Sequence, residues 1–287
     1  YWRVLMKYLH PLVIFVYFII VISLAMTVSN PVCTGISIAG AAALMIRLKG
    51  IHNIKKGILT LIPLILVTAV INPLFSHEGL TVLGYFPDGN PLTLESVLYG
   101  INMSAVFMSV ILWFVSVNEI MTTERIMYVL GRVMPVLALT FSMILKLIPL
   151  IRKHIKETRE VNRVLCMHAD RTVSSRIKEG MESLSSSLTW VLDDSAATAD
   201  SMKCRGYGMP GRTSYTRYIF TEKDGAWLIV IILLLCSFLY GNYMDYIYWQ
   251  FYPDMLCGFY GVRSILVYVI YAVICCVPSV IWERRPG

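Results

Sequence analysis

The chain has 287 residues, of which 57% are hydrophobic and 15% charged, whereas a soluble domain carries about 25% charged residues. Its mean hydropathy of +0.66 makes lipid, not water, its main solvent, and its net charge of +7 suits basic loops beside an acidic membrane surface. Nucleic-acid binding is not implied, because the basic positions are not interleaved with stacking aromatics. An outer-membrane barrel is excluded because the apolar runs are continuous and do not alternate.

The predicted class is an all-α integral membrane protein, with about six transmembrane helices and long cytoplasmic helices. Only a helix satisfies its own backbone polar groups within one apolar segment. In chain order the spans fall at 11–28, 31–46, 57–75 and 95–117, then at 226–243 and 262–282. Ser29-Asn30-Pro31 makes the first two a tight antiparallel hairpin, and Asn72-Pro73 lies at the end of the third. The segment 47–56 carries Arg47, Lys49, Lys55 and Lys56, whereas 76–94 has no Lys or Arg. Six spans with both termini cytoplasmic satisfy this pattern, leaving only Arg263 on the outer side, just after the aromatic loop 244–261. The chain thus divides into an N-terminal membrane part (1–117), a cytoplasmic or interfacial region (118–225) and a C-terminal membrane part (226–287).

The middle region holds 16 of the 25 Lys and Arg and 12 of the 18 Asp and Glu, so it belongs on the cytoplasmic side. Within it, 133–151 is apolar but contains Pro135, Lys146 and Pro149. It is expected as a helix at the cytoplasmic membrane boundary, since crossing would make the span count odd. Farther on, Met181, Leu184, Leu188, Val191, Ser195, Ala199 and Met202 recur at three- and four-residue steps. They predict an amphipathic helix over 176–204, with a stripe that becomes small toward its end and permits close helix crossing. Gly206, Gly208 and Pro210 stop it, so Arg205 projects from its last turn.

Several local sequences occur together in a fixed order. They are Leu9-His10-Pro11, Ser29-Asn30-Pro31, Asn72-Pro73-Leu74, Lys146-Leu147-Ile148-Pro149 and Met202-Lys203-Cys204-Arg205-Gly206-Tyr207. In that order the chain resembles the transmembrane T component of energy-coupling factor (ECF) transporters, which import vitamins and transition-metal ions. The resemblance implies a non-catalytic coupling subunit of an ABC transporter complex in the prokaryotic plasma membrane. Its implied partners are two ABC-type ATPase subunits, as a homo- or heterodimer, a small substrate-binding membrane subunit (S component), and membrane lipid.

In that family two coupling helices each end in an Ala-Arg-Gly-like motif whose arginine enters a groove on one ATPase. The resemblance places one motif on Cys204-Arg205-Gly206, preceded by Lys203. The other falls on Cys166-Met167-His168, where Met167 stands in the arginine position. The resemblance then implies that this anchor is carried by Arg163 or Arg171, or that it is weaker. A guanidinium suits the role because its planar fork pairs bidentately with a carboxylate.

Other chemistry finds little support in the residues. Gly206 to Thr213 imitates a phosphate loop with Arg212 at the lysine position, but it follows a helix and contains Pro210. The five histidines (His10, His52, His77, His154, His168) lie on separate segments and read as solvated or interfacial. The seven scattered cysteines read as small buried hydrophobes. No catalytic residue, cofactor site or metal site is expected. The alternatives are an intramembrane enzyme using Asp193, Asp194 and His168, or a self-sufficient secondary transporter. The first is disfavoured because neighbouring helical residues do not face each other, and the second because the spans lack internal charge.

Overall fold

The structure is a computed structural model that describes residues 10–76, 79–85, 91–165, 173–210, 218, 220–258 and 261–281. Among them the helices are α1 (Pro11–Thr27), α2 (Pro31–Lys49), α3 (Ile51–Phe75), α4 (Leu94–Ile120), α5 (Thr123–Val133), α6 (Pro135–Leu165), α7 (Val173–Cys204), α8 (Glu222–Tyr243) and α9 (Val262–Ile281). Two short hairpins complete the fold: β1 (Val82–Tyr85) with β2 (Pro91–Thr93), and β3 (Trp249–Gln250) with β4 (Leu256–Cys257). Both hairpins lie in segments that the hydropathy pattern reads only as loops. The chain forms two compact units, one of residues 1–125 with 218–287 and one of residues 126–217.

In the first unit α1, α2, α3, α4, α8 and α9 pack as an up-and-down bundle. The starts of three helices explain two of the recurring sequences. His10 caps α1 by accepting the Leu12 N–H on Nδ1 at 3.3 Å, and Pro11 takes the first helical position, where no donor is needed. Asn30 and Pro31 repeat the device on α2, with the Val32 N–H 2.9 Å from Asn30 Oδ1. Thr221 and Asp224 form a reciprocal capping box on α8. The other Asp224 carboxylate oxygen accepts the His10 backbone N–H at 3.1 Å, so the first turns of α1 and α8 are tied together.

The amide of Asn30 also donates to the Ile247 carbonyl at 3.1 Å and to the Tyr268 hydroxyl at 3.0 Å, holding the opposite end of the bundle. Both hairpins lie at this second end, where the Ser76 hydroxyl donates to Tyr252 and Tyr99 packs edge-on against Phe251. Between the ends sits a core centred on fully buried Trp113. Its indole N–H donates to Ser37 Oγ at 2.9 Å, and Ser37 in turn pairs with Ser109 at 2.7 Å. Tyr17 and Phe18 meet the Trp113 ring at 70° and 65°, in the edge-on geometry that aromatic quadrupoles favour. The Tyr17 hydroxyl then reaches the Ile274 carbonyl at 3.0 Å, joining α1 to α9. At Gly40 an added Cβ would stand 2.8 Å from Cys275 Cβ, so α2 and α9 approach closely only because position 40 carries no side chain.

By length and composition, α2, α4, α8 and residues 135–161 of α6 can each cross a bilayer. The apolar helices at 11–27, 65–75 and 262–278 are shorter. At about 1.5 Å per residue, the 17-residue α1 still extends about 25 Å. The structure therefore is mostly α-helical, with membrane-spanning helices and two small hairpins added.

In the second unit, residues 133–165 behave differently from the sequence expectation. A boundary helix over 133–151 was expected, but α6 is one helix of 31 residues that continues past 151, with Pro149 inside it. Proline lacks its own backbone donor and its ring crowds the carbonyl four residues back. The half-buried row Met143, Leu147, Ile151, His154, Ile155 and Thr158 continues on both sides of it, so packing outweighs one lost bond. None of the apolar stretch 135–161 is buried within the structure. Val136, Leu137, Phe141, Ile144 and Ile148 are exposed around it, a surface that requires lipid or another protein.

Helix α7 packs against α6. Its buried row is Ser183 and Ser187, at 2% and 3% exposure. Trp190, on the same side, stacks on His154 with ring centroids 4.6 Å apart. The periodic apolar stripe is on another face: Met181, Leu184 and Leu188 are 66%, 61% and 65% exposed, and Ile177 and Leu192 extend the same line. Serines admit the close approach of the two backbones, leaving the larger apolar side chains outward.

Candidate functional site

The end of α7 is built from its own hydrogen bonds. Arg205 N–H closes the last α-helical bond to the Ser201 carbonyl at 3.1 Å. Gly206 then turns into the left-handed region with φ 78°, a conformation that costs a side-chain-bearing residue about 1 kcal/mol or more. Its N–H reaches the Lys203 carbonyl at 2.9 Å, while the Tyr207 N–H reaches the Met202 carbonyl at 3.0 Å. This pair of bonds, from one residue past the cap and from the next, is the Schellman arrangement. An added Cβ at Gly206 would stand 3.1 Å from Met209 Sδ, on an exposed side chain that can shift, so the positive φ is what favours glycine here. Gly208, again at positive φ (94°), continues the reversal before Pro210.

Arg205 is therefore the capping residue itself, held by a rigid turn on its C-terminal side. It is exposed, as are Lys203 and Cys204. Lys203 Nζ lies 3.6 Å from Asp200 Oδ1, with both side chains 76% exposed, a pairing that solvent leaves weak. The guanidinium of Arg205 has no ion pair or hydrogen bond among the described residues. An uncompensated cation on a backbone held by this turn, beside exposed Tyr207 and Met209, can receive a carboxylate of a partner surface with an apolar rim.

The other sequence candidates are less visible. Arg163 lies in the last turn of α6, while Cys166, Met167, His168 and Arg171 lie outside the described residues. The phosphate-loop imitation begins directly after α7 with no strand before it, and residues 211–213 of it are also outside the described residues.

Two histidines depart from the solvated reading. His10 is 1% exposed, packs edge-on against Phe220 at 5.2 Å, and serves as a helix cap. His154 stacks on Trp190, and its buried Nε2 has no hydrogen-bond partner. Asp193 is exposed and Asp194 half-buried on α7. No group of three or more potential metal ligands occurs among the described residues. Of the cysteines, Cys33 and Cys275 are buried as expected, whereas Cys204, Cys236 and Cys276 are exposed.

The outward stripe of α7 was legible as periodicity but not as a free surface. The signal that could have exposed it is the second row, Gly180-Ser183-Ser187, at the same helical spacing. Two candidate faces on one helix mean that one must be left for something else.

Comparison with known proteins gives one family match. Residues 6–215, most of the chain and all of the α7 anchor, match the family CbiQ, described as cobalt transport protein. No curated protein sequence matches.

Proposed function

Since this chain belongs to the CbiQ cobalt transport protein family, we propose that this membrane transport component is the coupling subunit of an ECF-type ABC importer. In this reading it performs no catalysis. Two ABC-type ATPases bind the ends of α6 and α7, and their closure on ATP moves those helices. The movement is passed to a separate substrate-binding membrane subunit, the S component. The family's description favours a transition-metal ion over a vitamin as the imported substrate.

The observation that carries the proposal is the unpaired Arg205 guanidinium on the tightly capped tip of α7. A charge destined for a partner is best left without an internal partner, and the glycine-capped turn limits the ordering cost of binding. The membrane orientation follows from charge. The bundle end where Lys49 pairs with Glu119 at 2.7 Å, and where His10 meets Asp224, faces the cytoplasm. In this reading the Arg205 anchor and both chain termini lie on the cytoplasmic side of a prokaryotic plasma membrane.

The test is Arg205→Glu in the native host. Loss of ATPase co-purification and of ATP-coupled uptake is expected, with the chain still inserted in the membrane; normal uptake would overturn the proposal. Met167→Arg probes the altered motif, and ATPase binding is expected to hold or strengthen. Loss of assembly in that variant would instead mean that Met167 packs against the ATPase.

A further inference from the structure

At the hairpin-bearing end of the bundle, α2, α4 and the β3–β4 turn enclose an apolar cavity of about 280 Å³. Gly35, Ile38, Leu98, Ile101, Trp249 and Phe251 are among its lining residues. We propose that this cavity holds one acyl chain of a membrane phospholipid, with the Trp249 indole N–H donating to an ester carbonyl of the same lipid.

The first support is that the chain does not fill the space itself. A Cβ added at Gly35 would meet nothing within 4 Å, and Leu98 and Ile101 in the wall remain 39% and 52% exposed. The cavity therefore opens toward the side of the bundle, where hydrocarbon is the solvent. Its position is the second support. The lining begins at Pro31, the first residue of α2, and on α4 reaches Ala105, eleven residues beyond Leu94. At about 1.5 Å per residue the site runs about 16 Å inward from the helix ends, the zone where ester groups give way to acyl chains.

Chemistry supplies the third support. Trp249 Nε1 is buried and has no hydrogen-bond acceptor among the described residues. A buried donor without an acceptor is costly and marks a missing partner. The missing partner must offer one acceptor and otherwise apolar surface. A sugar or ion would leave the apolar lining unmatched. A neighbouring membrane helix spends its carbonyls on its own hydrogen bonds. A phospholipid combines the two requirements, and tryptophan's amphipathic ring favours this depth.

The full chain, in nanodiscs of phosphatidylcholine with brominated acyl chains, tests the site through quenching of indole fluorescence. The Trp249 contribution is the difference between the wild type and Trp249→Phe, and it is expected to be strongly quenched. After transfer to detergent, the wild type is expected to retain phospholipid, measured by extraction and mass spectrometry. Retention should fall about fivefold to tenfold in Trp249→Phe, the effect of losing one buried hydrogen bond. Gly35→Leu, which fills the cavity, should reduce it at least as much. An unquenched Trp249, or equal lipid retention in all three proteins, would overturn the proposal. So would loss of a co-purifying membrane protein from Gly35→Leu with lipid unchanged, since the occupant would then be a partner helix.

Discussion

The membrane bundle buries Trp113, Tyr271, Phe238 and Leu44, whereas the 126–217 unit buries Ser183 and Ser187 and leaves Met181, Leu184, Leu188 and Leu192 exposed. The bundle encloses its aromatic residues and pairs its buried polar ones across helices, as Asn30, Ser37 and Tyr17 demonstrate. The 126–217 unit joins two long helices through a narrow serine seam and presents its apolar side chains outward. The exposed apolar side chains of the 126–217 unit form a surface for lipid or another protein to cover.

The largest effect that would break this contrast is expected from Trp113→Ala. It removes the shared contact of α1, α2 and α4 and should cost about 3–5 kcal/mol, read as a sharply lower Tm in detergent. A Tm close to that of the wild type would mean that the bundle does not depend on its aromatic centre. Asn30→Ala follows. It strands the Ile247 carbonyl and removes the α2 cap, for about 1–3 kcal/mol and a clear but smaller fall in Tm. The smallest stability effect is expected from Leu184→Ala combined with Leu188→Ala. Exposed substitutions change stability by about 0.5 kcal/mol or less, so Tm should hold while coupled uptake falls. A large drop in Tm for this pair would show that the stripe is packed within the chain and would remove the contrast between the units.

Small-residue helix surfaces can also receive a neighbouring helix. For α2 that surface is already occupied: Gly40 lies against Cys275, and Ser37 lies between Trp113 and Ser109. The outward apolar side chains of α3, including Leu66, Val67 and Val70, remain available.

Much of the architecture was legible because its causes are local. Apolar length specifies a crossing helix, His10-Pro11 and Asn30-Pro31 start helices through their own side chains, and Gly206 ends α7 through its own backbone freedom. Arg205 was identifiable for the same reason, as the residue immediately before that glycine. The hairpins were not legible, because each has only two to four residues per strand and no alternating pattern to announce it.

By itself the sequence determined a polytopic helical membrane protein, the ends of most of its helices and the position of the exposed arginine, all set by hydropathy and by contacts within a few residues. Only the tertiary structure decided which face of α7 meets α6, that α6 continues through Pro149, that His10 is tied to Asp224, and that a cavity remains beneath Trp249. Each of these depends on the shape of surfaces far apart in the chain. Periodicity reveals that a helix has faces, but steric fit between partners selects the one that is buried.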